Sequence, residues 1–367
     1  MKILFLVAKE KGGGAEEVTR HWIKFLNSRG HSISVVKLAE SGVSNSGTPQ
    51  GVSRLAWGEK SVVGKIASLR RFVRSNEIDM VVSVLTFQNI IAIFSLMGMR
   101  SQIVISEHNV PSILLLRQRL SQRLQYVCAR ILYRRAAGCI AVSHAVASNL
   151  RCTFGVKEDR LAVLPNAVTT QYADVSDKPG RSEISIDREV ENCNRIHLLI
   201  PARLVDQKSP RIAIQIARTL IDRGYETSID FVGDGPLEGL ILRDADEAAV
   251  SVCIHRWTDR WSELAQPESV VLLPSTVEGF GNILVHAANS GIPSVASSVA
   301  LGVGDALVEG ITGSLAETYT TDSFCDAIER ALKIEIEVAP ASWLNRFHVD
   351  NVGNQIEKFL LSRGVVK

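Results

Sequence analysis

The chain has 367 residues, 46% hydrophobic and 22% charged, too long for one small domain and suited to two of ordinary size with real cores. A net charge of +2 hides a division: residues 1–165 hold 23 Lys+Arg against 10 Asp+Glu, a net of +13, and residues 166–367 carry −11. That asymmetry excludes a uniform surface. It points to two domains with different partners, the basic one suited to nucleic acid, an anionic membrane or a phosphorylated substrate.

The opening MKILFLVAKEKGGG has too short an apolar core for a signal peptide. It reads as a buried strand over Ile3–Val7, a Gly-rich turn, and a helix over Glu16–Arg29 closed by Gly30. Ser32–Val36, Met80–Val84, Ile103–Ser106 and Gly138–Val142 are the next strands. A second series runs through His197–Ile200, Ile229–Val232, Val252–His255, Val270–Leu273 and Ser294–Ala296. Strand–turn–helix alternation predicts parallel sheets covered by helices, two doubly wound α/β domains. Between the series, Asp174–Arg195 is polar and reads as a linker. Ligands of such sheets bind beyond the carboxyl ends of the strands, and the cleft between the domains is the expected site. No run approaches the ~18 apolar residues of a membrane span. The six cysteines are scattered, with no C-x-x-C and no His at zinc-finger spacing, and read as reduced thiols of a cytosolic protein with neither disulfide nor metal.

Within this frame a few positions carry chemistry. Arg203 and Lys208 follow the strand His197–Ile200, a planar fork and a point charge for phosphate oxygens; two solvated surface cations are the plainer reading. Glu278 precedes Gly279-Phe280-Gly281-Asn282 and a helix over Ile283–Asn289. The glycines allow close backbone approach, the helix's amino end suits an anion, and the carboxylate suits sugar hydroxyls. A helix-capping carboxylate is the alternative. Gly13 and Gly14, between first strand and first helix, match neither a dinucleotide fingerprint nor a P-loop. His108 lies just past the strand Ile103–Ser106. Asp244-Ala245-Asp246 spells a D-x-D, but on a helix i and i+2 diverge, so it reads as solvated surface.

His108–Lys157 contains no Asp or Glu, and Leu116, Leu120, Leu124, Val127 and Ile131 share one helical face. That face either meets the core, with a basic solvated side, or lies on anionic lipid. Lys60, Lys65, Arg70, Arg71 and Arg74 add a second basic helix. Aromatics are not interleaved with these cations, which argues against nucleic acid.

The chain resembles the GT-B-fold glycosyltransferases, in particular the large retaining family four. The tags, in order, are GGAE at 13–16, RGH at 29–31, EHN at 107–109, AVSHAVASNL at 141–150, LPNAV at 164–168, PARLVDQKSP at 201–210, FVGDGP at 231–236, LPS at 273–275, EGFG at 278–281, GIP at 291–293 and EGITGSL at 309–315. The resemblance implies an amino-terminal domain over 1–168, joined by a last helix at about 342–367, and a nucleotide-sugar domain over 169–341. It implies a hexosyltransferase acting with retention, from a UDP- or GDP-linked donor to a lipid-linked saccharide or polysaccharide precursor, as in lipopolysaccharide or exopolysaccharide synthesis. It makes Arg203 and Lys208 the diphosphate's counter-charges in place of a metal ion, so neither metal nor cofactor is expected. Glu278, with Gly279, Phe280, Gly281 and Asn282, would hold the sugar. His108 would stand beside the reacting sugar, and Gly13 and Gly14 near the diphosphate and acceptor. The expected place is the cytoplasmic face of the inner membrane, bound peripherally.

One position departs from the family. Its pattern is Glu, seven residues, Glu, and the second Glu holds the nucleotide ribose; here that position is His286. A neutral imidazole offers one donor and one acceptor where a carboxylate accepts twice. A protein that binds nucleotide sugars without turnover, or an epimerase of the same fold, is the alternative.

Overall fold

A computed structural model describes residues 1–8, 13–39, 52–57, 60–116, 120–170, 194–334 and 341–364. The chain divides into two compact units, Met1–Thr170 with Arg346–Lys367, and Gln171–Asn345. Gly12, Arg117, Arg119 and nearly all of the linker lie outside the described residues.

Among its described residues the first unit has seven strands: β1 (Lys2–Val7), β2 (Ser32–Lys37), β3 (Ser53–Ala56), β4 (Met80–Val84), β5 (Gln102–Glu107), β6 (Gly138–Ala141) and β7 (Leu161–Val163). They lie in the order β3-β2-β1-β4-β5-β6-β7, every pair parallel. Between them run α1 (Gly14–Ser28), α2 (Val62–Ser75), α3 (Thr86–Leu96), α4 (Pro111–Leu116), α5 (Leu120–Leu132) and α6 (His144–Cys152). Every residue of Ile3–Val7 is buried, the signature of a parallel strand covered on both faces. Ile3, Phe5 and Val7 share a core with Val18, Trp22 and Leu26 of α1.

The second unit orders its strands β10-β9-β8-β11-β12-β13, again all parallel. These are β8 (Arg195–Pro201), β9 (Glu226–Val232), β10 (Ser251–His255), β11 (Ser269–Leu273), β12 (Ser294–Ser297) and β13 (Gly313–Ala316). Its helices are α7 (Ile212–Asp222), α8 (Glu238–Ala248), α9 (Asn282–Asn289), α10 (Thr321–Leu332) and the short α11 (Ala341–Leu344). Alternation along the strands makes two cores: Leu198, Ile200, Ile229 and Phe231 pack with α7 and α10. Leu199, Val232 and Val271 pack with Ala287 of α9 and Trp261. The last helix, α12 (Val349–Arg363), belongs to the first unit, where Val352, Ile356 and Leu360 complete its core.

Both sheets reverse their order once, between β1 and β4 and between β8 and β11. At such a switch point the turns leaving the two central strands diverge and open a crevice.

On α5 the core reading of the Leu120 face fails. Leu120 is 82% exposed, Leu124 62%, Val127 50% and Ile131 55%, so this face does not enter the unit's core. Arg123, Arg130 and Arg134 beside it are exposed as well. Among the described residues no helix is long and apolar enough to cross a membrane, and the five described cysteines are free.

Candidate functional site

The second unit's switch point brings together residues about 70 positions apart in sequence. After β8, the segment Ala202–Leu204 is laced to the turn that follows β9: Ala202 N–H donates to Val232 O at 3.1 Å and Leu204 N–H to Asp234 O at 3.0 Å. Arg203, between them, is exposed. A 3-10 turn over Asp206–Lys208 follows. It is fixed to the chain beyond β11, where Thr276 N–H donates to Gln207 O at 3.2 Å and Gln207 Nε2 donates to Val277 O at 3.0 Å. These bonds set Lys208 Nζ 2.5 Å from Glu278 Oε1. Glu278 is only 7% exposed, so solvent screens the pair poorly.

Close backbone packing shapes the rest of the turn. Gly302 N–H donates to Glu278 O at 3.2 Å, and a Cβ on Gly302 would stand 2.3 Å from the carbonyl carbon of Gly279. Only glycine fits there. Gly281 has φ +96° and opens α9 with no side-chain cap, so the positive amino end of the helix meets the turn that carries Glu278. Phe280 is buried beneath the turn. Asn282 is the first helical residue, and His286 follows one turn on, half-buried. Tyr319 Oη donates to Pro274 O at 2.8 Å, bracing the same loop. Ser275 Oγ is fully buried there without a partner; in the sequence Ser275 served only as part of a tag, and Tyr319 was not singled out.

In the first unit, Gly13 is the extended residue that precedes α1 and Gly14 the first residue of the helix. Trp22 of that helix lies 5.8 Å from the His108 ring, centroid to centroid. His108 directly follows β5, buried, with Nε2 3.1 Å from Ser106 Oγ and Nδ1 without a partner. Burial pushes its pKa down to about 3, so at neutral pH the imidazole is uncharged.

Glu107, which sequence reading used only as a tag, anchors a buried polar network. Its carboxyl accepts from Tyr133 Oη, from Thr86 Oγ1 at 3.2 Å and from Asn89 Nδ2 at 3.0 Å. Burial raises its pKa to about 7 and these bonds oppose the rise. Only the topology that sets β5 beside α3 brings these residues together. The D-x-D reading is settled plainly: Asp244 forms a forked pair with Arg211 on the surface, at 2.5 and 3.0 Å.

Arranged so, the second unit offers an exposed guanidinium, an ammonium paired to a buried carboxylate, and a helix amino end. That set suits a ligand with an anionic part and a hydroxyl-rich part.

Comparison with known proteins addresses family and fold. The family model described as Glycosyltransferase Family 4 matches residues 12–172, and that described as Glycosyl transferases group 1 matches residues 195–333. A D-inositol 3-phosphate glycosyltransferase of Paenarthrobacter aurescens (strain TC1) is 28% identical over 204 residues, covering 53% of this chain and 48% of the relative. The chain spans about half the length of the curated relatives it matches. Among solved structures, Anabaena Alr3699/HepE in complex with UDP-glucose superposes with a TM-score of 0.76 at 19% identity, covering 99% of this chain and 100% of that one. The lipopolysaccharide outer core galactosyltransferase WaaB in its apo form gives 0.73 at 17% identity, covering 99% and 100%. At these identities the structural likeness speaks for the fold.

Proposed function

Since the chain belongs to the GT-B-fold glycosyltransferases of family four, we propose that it moves a sugar from a nucleoside diphosphate-sugar to a hydroxyl of a lipid-linked or polysaccharide-precursor acceptor, with retention and without a metal ion at the diphosphate. The observation that carries this reading is the Lys208–Glu278 pair beside Arg203 at the β8/β11 switch point. As the sugar–phosphate bond breaks, charge grows on the leaving diphosphate. Arg203 and Lys208 stabilise that charge, the largest contribution a fixed site makes to such a reaction. Lys208 spends one donor on Glu278 and keeps two for phosphate oxygens; the second oxygen of Glu278 is left for a sugar hydroxyl. His108, neutral and with Nδ1 unpartnered, serves as a hydrogen-bonding group toward the reacting sugar. Gly13 and Gly14 allow a substrate close to the backbone at the start of α1.

A UDP-linked donor is favoured by the likeness to a fold solved with UDP-glucose. The acceptor side rests on α5. Its exposed Leu120, Leu124, Val127 and Ile131, flanked by Arg123, Arg130 and Arg134, suit the headgroup region of an anionic bilayer at the cytoplasmic face.

The test is a thermal-unfolding panel with UDP, GDP, ADP and TDP, on the full chain and on Lys208→Ala. At about 100 times its dissociation constant a nucleotide adds roughly 2.7 kcal/mol of stability. Stabilisation by one nucleotide, lost in Lys208→Ala, with release of that nucleotide from its sugar conjugate in the presence of acceptor, is the expected result. Binding without turnover on any acceptor would favour the non-catalytic reading that His286 raises, and an isomerised donor in the absence of acceptor would favour the epimerase.

A further inference from the structure

The second unit carries a cluster that sugar transfer does not use. Asp230 of β9 and Cys253 and His255 of the edge strand β10 hold their ligand atoms within 4.8 Å of one another. Register explains why: Asp230 stands opposite Cys253 on one side and Leu199 on the other. With side chains alternating along each strand, His197, Asp230, Cys253 and His255 all emerge on one face of the sheet.

His255 Nε2 lies 3.4 Å from Asp230 Oδ2, buried and with no hydrogen bond of its own. Bonds of about 2.0–2.3 Å to a tetrahedral zinc ion set neighbouring ligand atoms roughly 3.3–3.8 Å apart, and the His255–Asp230 spacing falls in that range. His197 stands outside the three-residue group but braces it: its Nε2 lies 3.3 Å from the same Asp230 oxygen, and its Nδ1 lies 2.7 Å from Ser269 Oγ, which also accepts from Gln266 N–H at 2.6 Å. Such outer partners orient a ligating carboxylate.

We propose that Asp230, Cys253 and His255 form a binding site for a divalent transition-metal ion of the zinc class. A thiolate and an imidazole select against magnesium and calcium. Three protein ligands leave a fourth position to water. The ion ties the edge strand β10 to β9, where an unsupported edge is weakest. None of the three lies in the turns that carry Arg203, Lys208 and Glu278, and the site stands or falls independently of sugar transfer.

The test uses the full chain stripped with a chelator and titrated with Co²⁺ and then Zn²⁺. One cobalt ion per chain binds with a thiolate-to-metal absorption band, zinc displaces it, and zinc raises the unfolding temperature. Cys253→Ser abolishes the band, and His255→Gln or Asp230→Asn weakens binding at least about tenfold. Cys253 is exposed, so its variant folds, which the metal-free unfolding temperature checks. Cys152→Ser, at another exposed thiol, changes nothing. Absence of cobalt binding, or binding that survives both Cys253→Ser and His255→Gln, would overturn the site and leave an Asp–His cluster held by protons alone.

Discussion

Lys208 and Glu278, 70 positions apart, are joined at 2.5 Å across the β8/β11 switch point. Sequence reading gives them separate ligands, diphosphate and sugar; the structure makes each the other's partner. Lys208→Ala leaves a carboxylate only 7% exposed without its counter-ion. We expect a loss of about 2–3 kcal/mol of folding stability, just below the range for a fully buried pair because Lys208 keeps some solvent contact. Glu278→Gln preserves shape and leaves the more accessible partner unpaired, costing about 1–2 kcal/mol. Both variants lower turnover by at least ~10². Urea denaturation beside initial rates measures this. A Lys208→Ala protein as stable as wild type would show that the pair does not hold in solution.

Glu107 and His108 are neighbours in sequence with opposite pH behaviour. His108, near 3 in the fold against 6.5 unfolded, takes its proton only on unfolding, so its stabilisation is full above 6.5 and lost as pH falls toward 3. Glu107, near 7 in the fold against 4.5 unfolded, loses its proton on unfolding, so its stabilisation is full below 4.5 and lost as pH rises toward 7. Each slope is at most about 1.4 kcal/mol per pH unit, and between 4.5 and 6.5 they oppose one another. Glu107→Gln therefore makes stability fall more steeply on acidification in that window, and His108→Gln makes it fall less or rise. Urea titrations at half-unit pH steps, compared between variants, give the slopes. Parallel curves for all three proteins would refute both assignments.

Gly302 touches the sugar-side turn only through backbone. A methyl there meets Gly279 and Glu278 main-chain atoms at 2.3 and 2.6 Å, and neither can rotate away. Gly302→Ala therefore shifts the turn that carries Glu278. We expect a stability loss of about 1–3 kcal/mol, as for overpacking elsewhere, together with a fall in nucleotide-sugar affinity. Gly304→Ala, where a Cβ meets nothing within 4 Å, is the control. Equal nucleotide-dependent stabilisation in the two variants would remove Gly302 from the site.

The face of α5 gives a contrast between stability and binding. Were it packed in a core, Leu124→Ser would cost several kcal/mol. At 62% exposure it should cost less than about 0.5 kcal/mol. Combined with Leu120→Ser and Ile131→Ser it should abolish flotation with anionic vesicles, and Arg123, Arg130 and Arg134→Ala should weaken flotation in a salt-dependent way. Flotation unchanged in both sets would exclude this face as the membrane contact.

The sequence made most of this architecture legible because buried parallel strands are continuous apolar runs. Met80–Val84 is read residue for residue, and the other long strands to within a few positions. Three strands escaped, Ser53–Ala56, Leu161–Val163 and Gly313–Ala316. Each is three or four residues long and all three end a sheet, too short a run to impose a pattern. Arg203, Lys208 and Glu278 stood out in the sequence because charge follows a strand end there, and the fold brings Lys208 against Glu278. The Glu107 network and the Asp230–Cys253–His255 cluster did not stand out, because strand register brings their members together and no local spacing records it.

His286 is the test of how the donor is held. It occupies the second turn of α9, eight positions after Glu278, where the family's pattern has a carboxylate for the ribose. If the nucleotide binds as in the family, His286→Glu restores two acceptors on a charged group. Hydrogen bonds of that kind contribute about 1.5–3 kcal/mol, so nucleotide affinity should rise by at least about tenfold, and more than for the phosphate-free nucleoside's weaker complex. His286→Ala should weaken binding only slightly. The measurement is isothermal titration of the nucleotide selected by the thermal panel. Should His286→Glu bind more weakly than wild type, the imidazole itself is the ribose contact, and the donor site has been rebuilt around it rather than lost.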